Sequence, residues 1–227
     1  MNDKNILGIR NRTENWKTAR TISKIISDKK CGKLASIIVG NHINHCKKYK
    51  NDDVLIELFW KGYRDYYYLE KEKSGIGEKE IIDKTYKICD REFGTLQDDI
   101  NIHKGKLKID IERNYIFNYK KDLFNNLRCT EIDVVLECDG YFLIGEAKDE
   151  ESFGSNSNHI LCHQLIRQFV MAKVVIECLG REIKIIPFII VPDIVAAKNK
   201  GQVKLMQELG WLEEKNVLSW NMIDKIE

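Results

Sequence analysis

From Glu131 to Lys148 the chain reads EIDVVLEC, then Asp139-Gly140, then YFLIGEAK. Two apolar, β-branched and aromatic runs are joined by the dipeptide that most strongly signals a hairpin, predicted here with a two-residue type I′ turn. If the loop is those two residues, Cys138 faces Tyr141 and paired residue numbers sum to 279, so Asp133 falls opposite Glu146 and Glu131 opposite Lys148. Side chains alternate between the faces of a strand. One face then carries Ile132, Val134, Leu136, Cys138, Tyr141, Leu143, Gly145 and Ala147, with no charge. The other carries Glu131, Asp133, Val135, Glu137, Phe142, Ile144, Glu146 and Lys148, with its charges gathered at the open end.

Helical spacing marks other segments. Trp16, Ala19, Ile22, Ile25 and Ile26 recur at helical intervals over 13–27, with Thr13 as N-cap and Glu14 in the first turn. Residues 31–100 read as mainly helical: Leu55, Ile56, Leu58, Phe59, Tyr63 and Tyr66–Tyr68 form a stripe expected in a core, and a second helical pattern runs from Ile81 to Phe93. Tyr115, Phe117 and Tyr119 alternate within 102–128, as in a strand. After a Gly/Ser/Asn loop, Ser157 or Asn158 can cap a helix reaching about Leu179. Its apolar face is Leu161, Leu165, Phe169, Ala172 and Ile176, and its polar stripe is His159, His163, Gln164, Arg167 and Gln168. Ile183 to Val191 is nearly all apolar, as in a buried strand. A helix at about 196–209, ended by Gly210, and a short edge strand at 217–220 complete the order. This succession predicts an α/β fold, a mixed sheet with helices on its faces. It forms a single domain over 1–227, with 31–100 a helical elaboration and 102–195 the core.

Composition narrows the class. A chain of 227 residues with 43% hydrophobic and 32% charged residues can bury one sizeable core, and two prolines leave little room for linkers. The longest apolar run, Ile185 to Val191, is too short to span a bilayer, and MNDKNILGIRNR has no signal-peptide core, so a cytoplasmic location is expected. Seven cysteines without a C-x-x-C are expected to be free, mostly buried thiols. His42-x-x-His45-Cys46 finds no second pair at zinc spacing and reads as surface. There is no Walker A loop, G-x-S-x-G or dinucleotide fingerprint.

Charge changes the picture more. Residues 131–151 hold eight acids and one base, a net of −7, whereas the whole chain is +2 and the remainder therefore +9. Residues 102–128 alone are +4, from seven bases and three acids. Directly opposed carboxylates repel, and two that share a site either raise one pKa or bind a cation. Mg²⁺ takes such oxygen ligands together with waters and phosphates. An acidic patch in a basic remainder suits a metal-dependent site facing a polyanion. The plainer alternative is a Glu131–Lys148 cross-strand pair, with Asp133 and Glu146 pointing into water at a sheet edge.

Asp133, a 13-residue gap and the tripeptide Glu146-Ala147-Lys148 on a hairpin resemble the PD-(D/E)XK nuclease superfamily, although Ile132 stands where that family often has proline. The resemblance implies a restriction-endonuclease-like fold and Mg²⁺- or Mn²⁺-dependent hydrolysis of phosphodiester bonds, with DNA the expected nucleic acid. Asp133, Glu146 and the Ala147 carbonyl would hold the metal, and Lys148 would orient or activate water. It also directs attention to Glu14 on the first helix and to Gln164 on the helix after the hairpin as further site residues. A homodimer or a partner protein is compatible with it. The alternative from another class is a catalytically silent or partner-gated nucleic-acid-binding module of the same fold, for example in a defence system.

Overall fold

The structure is a computed structural model that describes residues 13–43, 45–102, 123–149, 153, 163–199 and 201–226, the side chains of 13–14 and 93–102 excepted. The chain is α/β, and it divides into two compact units, each assembled from separated stretches. The first comprises Met1–Phe59, Ile132–Ser152 and Ile186–Glu227, and the second Trp60–Glu131 and Phe153–Ile185.

The first unit is built on a five-stranded mixed sheet in the order β1-β2-β3-β4-β5: Leu55–Trp60, Ile132–Cys138, Tyr141–Ala147, Lys184–Val191 and Val217–Ser219. β2 and β3 are antiparallel, and β4 and β5 parallel. Helices α1 (Thr13–Ser27) and α2 (Cys31–Ile43) precede the sheet in the chain. One core joins Ile22, Leu34, Ile38 and Val39 of these helices to Val134, Leu136, Cys138, Leu143, Ala147, Phe188 and Ile190 on one face of the sheet. That is the uncharged hairpin face, sealed as its pattern requires. A Cβ on Gly145 would lie 2.2 Å from the Phe188 ring, so glycine is what lets this buried ring cross the hairpin.

The hairpin register agrees with the sequence: Val134 pairs with Gly145, Leu136 with Leu143 and Cys138 with Tyr141. The turn type does not. Gly140 has φ 74° but Asp139 stays out of the left-handed region, and a type I′ turn needs positive φ at both positions. Positive φ at the second position alone is the type II signature, so one glycine suffices.

The stripe 55–68 also departs from expectation. Leu55–Trp60 is a strand rather than part of a helix, and Leu55, Glu57 are exposed while Ile56, Leu58 are half-buried. This period-2 pattern is short and runs directly into the aromatic helix that follows. In α1 the buried stripe is Thr18, Ile22 and Ile25, whereas Trp16 is 67% exposed and Ile26 is exposed too. The predicted 196–209 helix is two shorter ones, α7 (Ile194–Lys198) and α8 (Gly201–Glu208). Trp220 opens a final helix, α9 (Trp220–Asp224), instead of extending the edge strand.

The second unit is helical: α3 (Gly62–Lys73), α4 (Glu78–Ile102), α5 (123–128) and α6 (Gln164–Cys178). Tyr63, Tyr66 and Tyr67 are buried as the stripe predicts, and Phe124 of α5 meets Tyr63 and Tyr67 edge-on at 5.8 and 5.3 Å. The strand read into 102–128 and the caps at Ser157 and Asn158 lie outside the described residues. His163, just before α6, and Gln168 within it, both on the predicted polar stripe, are buried. Gln168 Nε2 donates to the Glu131 carbonyl at 2.9 Å. Six cysteines are free among the described residues, with Cys31, Cys89 and Cys138 buried and Cys46 and Cys129 exposed. Burial pushes the Cys89 thiol up to about 12.

Candidate active site

Following the hairpin register one step beyond Val134–Gly145 sets Asp133 opposite Glu146, on the face away from the α1–α2 core. β2 and β3 are the second and third of five strands, so this is sheet interior and not an edge. Glu146 is 2% exposed, Lys148 7% and Asp133 9%. The reading of an acid pair in water at a sheet edge is therefore overturned.

The polar contacts at this end are specific. Lys148 Nζ lies 2.5 Å from Glu146 Oε1. The cross-strand Glu131–Lys148 pair is replaced by Lys61–Glu131 at 2.8 Å, both residues of the second unit. Asp133 Oδ2 accepts from the Ala147 N–H at 2.9 Å, which fixes this carboxylate across the strands. Buried carboxylates of this kind are kept only where charge partners and hydrogen bonds compensate for lost hydration.

Lys148 is held by its backbone as well. Its N–H donates to the Ile190 carbonyl of β4 at 2.8 Å, and its own carbonyl accepts from the Trp220 indole at 2.8 Å. The next residue, Asp149, is 2.5 Å from Lys17 of α1, and the Lys17 ammonium lies over the Trp220 ring at 4.9 Å. Trp220 is thus clamped between a cation and the Lys148 main chain. It was missed in the sequence because its partners are far away along the chain; it was read only as the last residue of a short edge strand.

The two further residues named by the resemblance lie on helices. Glu14 lies in α1, but its side chain is outside the described residues. Gln164 is the first residue of α6, in the second unit. Among the described residues, no three or more His, Cys, Asp or Glu side chains gather as a metal group. Of the predicted half-site, His42 lies with its Nδ1 3.3 Å from Glu213 Oε1.

The donor set at the hairpin end is two hard oxygen groups and one ammonium, a formal net charge of −1 in a nearly closed setting. Two carboxylates suit a cation that keeps waters and takes substrate oxygens, as Mg²⁺ does. They include none of the cysteine or histidine donors from which structural zinc sites are built. None of the described helices is long and apolar enough to cross a membrane. Comparison with protein-family models, curated proteins and solved structures gives no match to this chain.

Proposed function

We propose that the protein is a divalent-metal-dependent nuclease of restriction-endonuclease-like fold that hydrolyses phosphodiester bonds, with DNA as substrate. The observation that carries this reading is the buried trio at the hairpin end: Asp133 opposite Glu146, and Lys148 against Glu146. Two acids and a lysine inside a sheet have no packing rationale, since apolar residues of similar volume serve stability as well or better. A catalytic role supplies the reason.

In this reading Asp133 and Glu146 hold the metal, and the Ala147 carbonyl adds a third oxygen. A bound Mg²⁺ or Mn²⁺ ion supplies Lewis acidity and a more acidic water. Lys148 orients the attacking water and offsets charge that grows on the phosphate oxygens. Its ammonium can do this because both its amide N–H and its carbonyl are anchored. The Asp133–Ala147 bond keeps one carboxylate aimed while the substrate enters.

A second reading is a nucleic-acid-binding module without chemistry of its own, or one whose activity a partner protein switches on. What favours it is that Glu146 is already engaged by Lys148 and Asp133 by a backbone N–H. Incubating the protein with supercoiled and linear DNA in Mg²⁺, Mn²⁺ or EDTA separates the two. The nuclease reading expects nicking of closed circles with either metal and none in EDTA. Asp133→Asn and Lys148→Ala should each abolish cleavage, and wild-type rates in either variant would refute the assignment. Ca²⁺ in place of EDTA should also raise DNA affinity, because it neutralises acids that repel phosphate. Equal affinity at matched ionic strength, together with no cleavage, would establish the binding-module reading instead.

A further inference from the structure

The outer face of α1 has a composition that the nuclease reading does not use. Trp16 is 67% exposed and, among the described residues, has no ring or hydrogen-bond partner. Helical geometry puts Trp16, Arg20, Ser23, Lys24 and Ser27 on one side, all of them exposed, opposite the buried Thr18. Arg20 and Lys24 make no ion pair among the described residues. From Asn15 to Ser27 the helix holds three bases and no acid. Scattered exposed apolar residues are ordinary on protein surfaces. An indole set one turn before an arginine and two turns before a lysine, on an acid-free helix face, is a more specific arrangement.

Its location is specific too. Lys17, beside Trp16 in the chain, is bound to Asp149, and Asp149 directly follows Lys148. The start of this face is thereby tied to the strand end that carries the trio, within one compact unit.

We propose that the outer face of α1 binds single-stranded nucleic acid, with Trp16 stacking on an unpaired base and Arg20 and Lys24 meeting phosphates. Basic side chains alone are indifferent to strand form, since they meet the backbone electrostatically. The indole supplies the discrimination. A base offers its flat face only when it is out of a duplex, and stacking on an aromatic side chain is sequence-tolerant. A membrane surface fits less well, because an interfacial helix needs a broad apolar face and this side of α1 has a single aromatic among polar residues. The inference rests on the nuclease reading only in naming the strand form that would reach the trio; the binding itself does not require catalysis.

The test uses the full chain in EDTA, so that no hydrolysis intervenes. Fluorescence anisotropy would follow labelled oligo-dT, a duplex of equal length, and vesicles of anionic phospholipid. The expected result is tighter binding of oligo-dT than of duplex. Trp16→Ala should lower oligo-dT affinity by roughly 5- to 150-fold and leave duplex affinity unchanged, while Trp16→Phe retains most of the binding. Arg20→Glu with Lys24→Glu should weaken both nucleic acids and flatten the dependence of log K on log salt by about 0.7 per lost phosphate contact for the single strand. Because these side chains are exposed, thermal unfolding of the variants should match wild type. Unchanged oligo-dT affinity in Trp16→Ala, or binding to vesicles without binding to oligo-dT, would overturn the proposal. Trp16-dependent oligo-dT binding in a protein that cleaves nothing in Mg²⁺ or Mn²⁺ would sink the nuclease reading and leave this one standing. Cleavage with Trp16→Ala indistinguishable in binding would do the reverse.

Discussion

The β2–β3 hairpin carries a lysine–carboxylate pair at each end, in opposite surroundings. At the turn, Lys47 reaches Asp139 at 3.2 Å, and the aspartate side chain is 84% exposed. At the open end, Lys148 reaches Glu146 at 2.5 Å, with side-chain exposures of 8% and 1%. In water, the attraction of the first pair is offset by hydration and side-chain entropy, so such pairs contribute about 0–1 kcal/mol. In the sheet, both partners of the second pair have lost their hydration, and each depends on the other. Stability alone is served as well by the first kind of pair, or by an apolar pair, as by the second. Under the proposed reading, the second serves chemistry.

The sharpest way to break this comparison is to remove one buried partner and then both. Lys148→Met should destabilise the protein by about 3–5 kcal/mol, because Glu146 would be left charged in a dry site. Adding Glu146→Leu should recover most or all of that loss, since a well-packed apolar replacement of a buried pair is often neutral or stabilising. Urea unfolding of the two singles and the double measures the coupling directly. Additive single and double effects would show that the pair is hydrated and the contrast with the turn end false. The double variant should regain stability and remain unable to cleave DNA, which separates folding from function.

A smaller effect is expected at the clamp. Trp220→Phe keeps the ring above which Lys17 sits but removes the indole N–H, so the buried Lys148 carbonyl loses its donor. Leaving a buried acceptor unpaired costs about 1–3 kcal/mol. If Trp220 also positions Lys148, cleavage should fall in kcat with KM little changed, and the ¹⁵N shift of the Lys148 ammonium should move. A stability loss with an unmoved ammonium signal would reduce Trp220 to a packing residue.

The two ends were not equally legible. The hairpin follows from local rules: Asp-Gly closes the turn, and the period-2 pattern fixes a register that needs no knowledge of the rest of the chain. The uncharged face and the central strand β4 are similarly plain, because burial demands continuous apolar sequence. What eluded the pattern is what depends on distant partners. β1 sits beside β2 although more than 70 residues separate them in the chain, and its six residues merge into an aromatic helix. Trp16 shares the helical spacing of a core residue yet lies across the helix from the buried stripe. Glu146, Lys148, His163 and Gln168 are polar and buried, and polarity alone predicts the opposite. Asp133–Glu146–Lys148 could be named from the sequence as residues on one face, but their removal from water could not.

The least effect should come from the turn end. Lys47 has more contacts than most surface lysines: its ammonium lies 5.0 Å from the centres of both the Tyr49 and Tyr141 rings, in addition to the ion pair with Asp139. These contacts hold its pKa above the ordinary lysine value, with the Tyr49 hydroxyl as the main cause. A raised pKa here does not imply much stability, because the charge remains in contact with solvent, where interactions are screened. Each exposed cation–ring contact contributes about 0.5–1 kcal/mol and the ion pair about 0–1 kcal/mol, with overlap between them. Lys47→Met should therefore cost no more than about 1–2 kcal/mol, less than the about 3–5 kcal/mol of Lys148→Met. The sign with pH follows from the raised value: whatever Lys47 contributes is fully present below the ordinary lysine pKa and is lost as pH rises through the higher folded-state value. Unfolding of wild type and Lys47→Met should thus differ by a constant amount from pH 6 to 9. Added salt should narrow the gap, since it screens an exposed pair, but should leave the Lys148→Met loss nearly unchanged. A salt-insensitive loss at Lys47 as large as that at Lys148 would mean that the two ends of the hairpin share one environment, and the case for a functional reason behind the buried pair would fall with it.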